Sequence, residues 1–312
     1  MTYLNKSTDY LRIIILSITC LGFISTNVQA SEQEQQTLVI GKITSNPMKH
    51  YRYLKPMIDY AVSQLHDLGI KQGKVLMAKN NRQMIRYLKQ GKVDWITETV
   101  FSAVEFQQKT GAELLLLKWK KGVPKYHTVF VARQGSGIQT LNDLTGKTIA
   151  FQDSGSTSAF YIPASTLLQK KLKLEKLKSP RQKPTADHIG YVFAREEINM
   201  STWVNKGLVD ALAFGNLDWE KEDHMPTSFK KNLNIIHRTR VYPRSLEIVR
   251  KNLPQTIKTR LKTLLLAAHN TSEGKQAMKM YQKTSRFEEI NDQMIQAIDH
   301  ARKLKYIIDG TL

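Results

Sequence analysis

Asp153-Ser154-Gly155-Ser156-Thr157-Ser158-Ala159 is the stretch of this sequence best suited to hold an anion. Three consecutive hydroxyls follow a glycine. They lie between an apolar run ending at Phe151 and a helix-spaced run beginning at Ser158. The first N–H groups of a helix have no partner inside it, and the helix dipole is positive at that end. Hydroxyl donors add to them and rotate to suit the anion. Each hydrogen bond to a charged group contributes roughly 1.5–3 kcal/mol. Ser and Thr are also the preferred helix caps, but a cap uses one hydroxyl and this segment supplies three.

Acids stand at other strand ends. Glu98 and Thr99 follow the run Val93 to Thr97, and Glu196 and Glu197 follow Ile189 to Ala194 beside Arg195. A bare carboxylate repels a dianion, so at an anion site these acids point to a ligand carrying an amine or an acidic O–H. First-turn helix acids, favoured by the dipole, are the other reading of Glu196 and Glu197. Asn216 and Asp218 follow the run Val209 to Phe214. They either reach a cleft or serve the turn, where both residue types are common. The eight histidines show no metal spacing, and no cofactor is implied. No Gly-x-Ser-x-Gly elbow, P-loop or dinucleotide fingerprint occurs, and no nucleophile–base constellation supports an exported enzyme.

The elements that position these residues alternate strand and helix. Leu38 to Gly41, Val75 to Met77, Val93 to Thr97 and Leu114 to Leu117 read as strands. Helices are expected from Leu54 to Leu68, around Met84 to Leu88, and from Val100 to Lys109. A long strand, Tyr126 to Arg133, leads into a second alternation. Its strands are Lys147 to Phe151, Ile189 to Ala194 and Val209 to Phe214, with helices over Ser158 to Leu172 and Ile198 to Asn205. Asn234 to Arg240 and Leu246 to Arg250 are the last strands expected, and the tail from Pro254 reads as helical. The lysine-rich run Lys170 to Lys183 reads as a helix end passing into a solvated loop. The result is an α/β protein of two lobes: residues 31–127 with 244–312, and residues 128–243. Two crossings join them around a central cleft, where the carboxyl ends of parallel strands gather.

At 312 residues and 41% hydrophobic, the chain is long enough for two such lobes. Its start reads as a cleaved signal peptide, residues 1–30. Lys6 and Arg12 precede the uncharged run Ile13 to Ile24, and Val28 and Ala30 supply the small residues before the cut. Cys20, the only cysteine, leaves with the leader, so thiol chemistry and cysteine metal sites are excluded. The net charge of +20 suits anionic ligands or a lysine-rich solvated surface. Export argues against nucleic acid as a partner.

Leu141-Asn142-Asp143-Leu144-Thr145-Gly146-Lys147-Thr148-Ile149-Ala150-Phe151, followed by Ser156-Thr157-Ser158 and Pro163, resembles the phosphate/phosphite/phosphonate-binding family of periplasmic proteins. Gly91-Lys92-Val93-Asp94, Tyr126-His127-Thr128 and Gly207-Leu208-Val209-Asp210-Ala211 agree with it, and the resemblance runs from about Leu38 to about Tyr281. It implies the type II periplasmic-binding fold. It also implies oxyanion binding by Ser156, Thr157, Ser158 and Tyr126, closure of the lobes on the ligand, and delivery to the membrane permease of an ABC importer by a periplasmic monomer. A sensing module of the same fold, or a binding protein for another small ligand, is the alternative. Two departures stand out. Ala194-Arg195-Glu196-Glu197 replaces the family's Gly-Ser-His-Asp, and Glu98-Thr99 replaces its Gly-Pro.

Overall fold

The computed structural model describes residues 36–311. The expected signal peptide lies outside them. Two six-stranded sheets form the two lobes. In chain order the first lobe begins with β1 (Thr37–Ile43), α1 (Pro47–Ser63), β2 (Gln72–Ala78) and α2 (Asn81–Lys89). It continues through β3 (Trp95–Glu98), α3 (Val100–Thr110) and β4 (Glu113–Lys120). The chain crosses by β5 (Lys125–Tyr126) into β6 (Thr128–Arg133), β7 (Thr148–Phe151), α4 (Ile162–Gln169), β8 (Lys173–Lys176) and β9 (His188–Phe193). Then come α5 (Glu197–Asn205), β10 (Ala211–Gly215), α6 (Asn216–Trp219), α7 (Thr227–Lys230) and β11 (Leu233–Arg238). The return crossing is β12 (Tyr242–Pro243). It is followed by β13 (Leu246–Val249), α8 (Gln255–Ala267), α9 (Ser272–Met280), β14 (Thr284–Glu288) and α10 (Asp292–Thr311).

The first sheet has the order β14-β4-β13-β3-β1-β2, with β2, β1 and β3 parallel and β13 antiparallel to both β3 and β4. The second has the order β11-β6-β10-β7-β9-β8, parallel from β8 to β10. Strands β3 and β4 therefore point the same way and end, at Glu98 and Lys120, on one edge. Strand β7 of the other lobe ends toward the same cleft, which is the edge where parallel sheets bind ligands.

The crossings pair with each other. β5 and β12 form a two-stranded ribbon that sets Tyr126 opposite Tyr242. The expected single strand from Tyr126 to Arg133 is split at His127. There Asn216 takes both backbone groups, accepting from His127 N at 2.9 Å through Oδ1 and donating its own N–H to His127 O at 2.8 Å.

Three other elements differ from expectation. Lys173–Lys176, within the lysine-rich run, is an edge strand beside β9. Leu174 gives it an inward residue while its lysines stay in water. The helix expected from Ser158 to Leu172 is a π-helical turn, Thr157–Tyr161, followed by α4. Ala159 is not helical (φ −116°), and Lys171 ends the element at φ +61°. The helical tail is interrupted by β14, whose Phe287 joins the core under α1.

Polar groups are buried under the first sheet's cleft edge. Lys118 and Glu247 are both fully buried, 3.4 Å apart. Trp95 Nε1 and Tyr281 Oη donate to Glu247 Oε2, and Lys118 donates to Thr97 Oγ1 and Gln282 Oε1. Burial pushes the Lys118 ammonium down to about 8, with Glu247 acting the other way. Removing one member of such a pair costs roughly 3–5 kcal/mol, so this cluster ties β3, β4 and β13 into one edge. Helix α10 packs on α3 of the first lobe and α4 of the second. Met294, Ala297, Ile298, Ala301 and Leu304 face the first core and Ile308 the second.

Candidate functional site

The chain after β7 folds back before it becomes helical. Gly155 N–H donates to Asp153 Oδ1 at 2.7 Å, and Ser156 Oγ accepts from Ala159 N at 3.3 Å. Ser156 is thus the cap of the π-helical turn, and one of the three hydroxyls serves the fold. Thr157 is 4% exposed and donates from Oγ1 to Thr99 Oγ1, 2.8 Å away on the other lobe. Thr99 is free to accept because its side chain does not cap α3, whose N-terminus it precedes. Ser158 is held by its carbonyl, which accepts from Thr128 Oγ1 at 2.7 Å. Gly215 leaves space beside it, since a Cβ there would lie 3.3 Å from Ser158 Oγ and 2.9 Å from Asp218 Oδ2.

These residues line a cavity of about 990 Å³ between the lobes, with Glu98, Tyr126, Tyr161, Lys120 and Arg244 also in its walls. Tyr126 is buried, and burial holds its hydroxyl protonated, well above the ordinary phenol range; Arg244, Thr157 and Ser158 act the other way. It is therefore a donor at any physiological pH. Phe101 of α3 stacks on Tyr161 with ring centroids 5.0 Å apart, so the lobes also meet through aromatic faces.

The lining holds four carboxylates and four cations. Each carboxylate has a local partner. Lys42 Nζ lies 2.5 Å from Glu98 Oε1, and Asn81 donates to Glu105 at 2.6 Å. Asp153 holds the Gly155 N–H, and Asp218 Oδ1 sits 2.9 Å from His224 Nδ1 and 3.6 Å from Lys221 Nζ. The cations Lys79, Arg82, Lys120 and Arg244 form no salt bridge among the described residues. Arg244 donates instead to the Lys120 carbonyl at 2.5 Å. Lys120 is pushed down to about 7 by burial and by Lys118, Lys42 and Arg244, with Glu98 opposing. Lysines outside the lining stand against three of the acids, Lys42 by Glu98, Lys221 by Asp218 and Lys305 3.9 Å from Glu105, whereas Asp153 has only a backbone N–H. The four lining cations have no direct ion pair, and an anion can supply one.

Six of the residues expected from the sequence are brought together here: Ser156, Thr157, Ser158, Tyr126, Glu98 and Thr99. Glu196, Glu197 and Asn216 are not part of the lining. Glu196 is exposed and precedes the first turn of α5, and Glu197 accepts from Gln152 Nε2 at 2.8 Å. Asn216 is occupied at His127. Glu98 does line the cavity, and there it pairs with Lys42. Sequence reasoning missed Lys120 and Arg244. The signal for Lys120 was its place at the carboxyl end of a strand, and for Arg244 its place beside the return crossing. Glu197, Asp218 and His224 could bring three metal-type donors within 4.8 Å of one another. Lys221 already places an ammonium against that group.

Residues 44–295 match the family described as ABC transporter, phosphonate, periplasmic substrate-binding protein. Among solved structures the chain is similar to XAC2383 from Xanthomonas citri bound to chloride ion. The identity is 34% and the TM-score 0.82, over 88% of this chain and 99% of that one. The same protein bound to ATP matches at 33% identity and a TM-score of 0.82, over 89% and 99%. PhnD1 from Prochlorococcus marinus (MIT 9301), in complex with methylphosphonate, shares the fold at 18% identity and a TM-score of 0.61, over 86% and 98%. The family model spans most of the chain, and with its two sheets and paired crossings the chain belongs to the family of periplasmic substrate-binding proteins of phosphonate ABC transporters.

Proposed function

We propose that the cleft captures a phosphorus oxyanion, of phosphonate, phosphite or phosphate type, and presents it to the membrane permease of an ABC importer. The observation that carries this reading is the charge arrangement. Lysines from outside the lining stand against Glu98, Asp218 and Glu105, while Lys79, Arg82, Lys120 and Arg244 have no carboxylate partner among the described residues and are left for the ligand. Ser156, Thr157, Ser158 and Tyr126 then supply neutral donors for the oxygens, as the family resemblance implies. Residues 31–127 with 244–312 act as one lobe and residues 128–243 as the other. They close about the β5–β12 ribbon, because a ligand touching both lobes favours the closed state. The ligand leaves chemically unchanged, and the leader of residues 1–30 directs the chain to the periplasm, where it works as a monomer.

A second reading, a phosphate ester larger than methylphosphonate, is favoured by the volume of about 990 Å³. That is at the top of the range of about 300–1,000 Å³ usual for small-molecule sites. It accords with the ATP held by XAC2383. Calorimetric titration with phosphate, phosphite, methylphosphonate, a phosphate monoester and sulfate separates the readings. Binding of at least one phosphorus oxyanion, weakened by Thr157→Val, is expected. Binding of none of them, with the protein folded, overturns the proposal.

A further inference from the structure

A second cavity of about 790 Å³ opens on the first lobe and shares Lys120 with the main cleft. Lys49, His50, Lys120, Lys121, Lys279 and Lys283 line it, and no carboxylate does. None of its five lysines forms a salt bridge among the described residues. The main cleft, by contrast, contains four partnered acids. A chain with net charge +20 has many solvated lysines, but those on convex surface spread into water. Here five lysine side chains share one concavity, and each charged one raises the cost of charging the others.

The backbone concentrates them. Lys121, Gln282 and Lys283 are three of the five described non-glycine residues with positive φ, at 53°, 58° and 55°. The two turns that carry them are joined by a hydrogen bond of 2.9 Å from Lys121 N to Lys283 O. Strain of this kind persists only where the surroundings enforce it. The cavities are neighbours: Thr44, which lines the main cleft, bonds through Oγ1 to Nδ1 of His50, which lines the second, at 2.7 Å.

We infer that the second cavity is a subsite for a further anionic group of an extended ligand, one carrying two or more phosphoryl groups. One group sits at Ser156–Ser158 and the other beyond Lys120. This rests on the oxyanion reading of the main cleft. Five lysines and no acid select charge rather than shape, so the second group is recognised by its negative charge.

The test titrates methylphosphonate and tripolyphosphate into the wild-type chain and into a variant combining Lys49→Gln and Lys283→Gln, both exposed. A control combines Lys170→Gln and Lys178→Gln, exposed lysines of the other lobe. In the cavity variant tripolyphosphate affinity should fall by about tenfold or more, with methylphosphonate changed less than about twofold. The control should leave both ligands unchanged. No loss in the cavity variant, or an equal loss in the control, overturns the subsite. Thr157→Val separates the two readings. If it spares both ligands while the cavity variant still weakens tripolyphosphate, the second cavity binds anions and the reading of the main cleft fails.

Discussion

Thr157 and Thr99 meet across the cleft, with their hydroxyl oxygens 2.8 Å apart and Thr157 as the donor. Thr157 belongs to the π-helical turn after β7, and Thr99 to the step from β3 into α3. The bond joins the two lobes at the place where the anion is proposed to sit. A hydroxyl has one proton, and Thr157 gives its own to Thr99 here. On the proposed anion binding the pair turns round, Thr99 donating to Thr157 and Thr157 to the ligand, so that Thr157 would serve both closure and recognition and Thr99 closure.

The two threonines therefore separate by mutation. Thr157→Val keeps the shape and removes the donor. Ligand affinity should fall by about 10- to 150-fold, the equivalent of one charge-assisted hydrogen bond of roughly 1.5–3 kcal/mol. Thr99→Val loses only a neutral bond of about 1 kcal/mol, so the loss should be nearer fivefold. Calorimetric titration of both variants checks this, and an equal loss would place the two hydroxyls in the same role.

The partnering of Glu98 makes a second prediction. Lys42 Nζ is 2.5 Å from the Glu98 carboxylate, which is only 9% exposed. Lys42→Met leaves that charge bare beside the oxyanion. Affinity should drop by about tenfold or more, and thermal stability should fall as well, because a buried carboxylate loses its cation. In the double variant Lys42→Met with Glu98→Gln, both effects should be largely reversed. A single variant that binds as tightly as wild type would show that Glu98 is remote from the ligand.

The order of strands and helices, the two lobes and the Ser-Thr-Ser turn were legible because each rests on local signals: apolar runs, glycine stops and the strand–hydroxyl–helix sequence. What was not legible depends on pairing between distant residues. Glu98 lines the cleft as its strand end suggested, but its partner Lys42 lies 56 positions earlier in the chain and could not be paired with it from the sequence. Asn216 was expected at the ligand; its Oδ1 accepts from the His127 N–H, and it stands outside the cavity lining. β8 and β14 are edge strands with few inward apolar residues, so their patterns resemble loop and helix. Lys120 and Arg244 went unnoticed because a lysine-rich sequence hides the few cations that a fold turns inward.

Asn216 gives the third prediction. Its carboxamide holds His127 N–H, the point where the long crossing strand breaks and the chain passes from the ribbon into the second lobe. Asn216→Ala leaves that N–H without its acceptor. Unfolding in urea should show a loss of about 1–3 kcal/mol, with the ligand contacts of the cleft intact. Asn216→Asp, which keeps the acceptor, should recover most of it. A variant as stable as wild type would mean water replaces the side chain.

Lys120 gives the fourth, through pH. Its ammonium is pushed down to about 7, first by burial and then by Lys118, Lys42 and Arg244, with Glu98 the opposing charge. The unfolded chain keeps an ordinary lysine, near 10.4. Between those values the unfolded state holds more protons than the folded one, so Lys120 makes stability fall as pH drops from about 10 toward 7 and has no further effect below that. A bound anion favours the charged form. Above pH 7, binding should therefore draw a proton onto Lys120, approaching about one proton per ligand at pH 8, where the free group is mostly neutral. Titration in buffers of different ionisation enthalpy counts those protons. The ligand's own ionisation is common to wild type and Lys120→Met, so the difference between them isolates this residue. Uptake at pH 8 that disappears in Lys120→Met and shrinks at pH 6 is the expected result. Equal proton counts in both proteins would show that Lys120 does not answer to the ligand's charge.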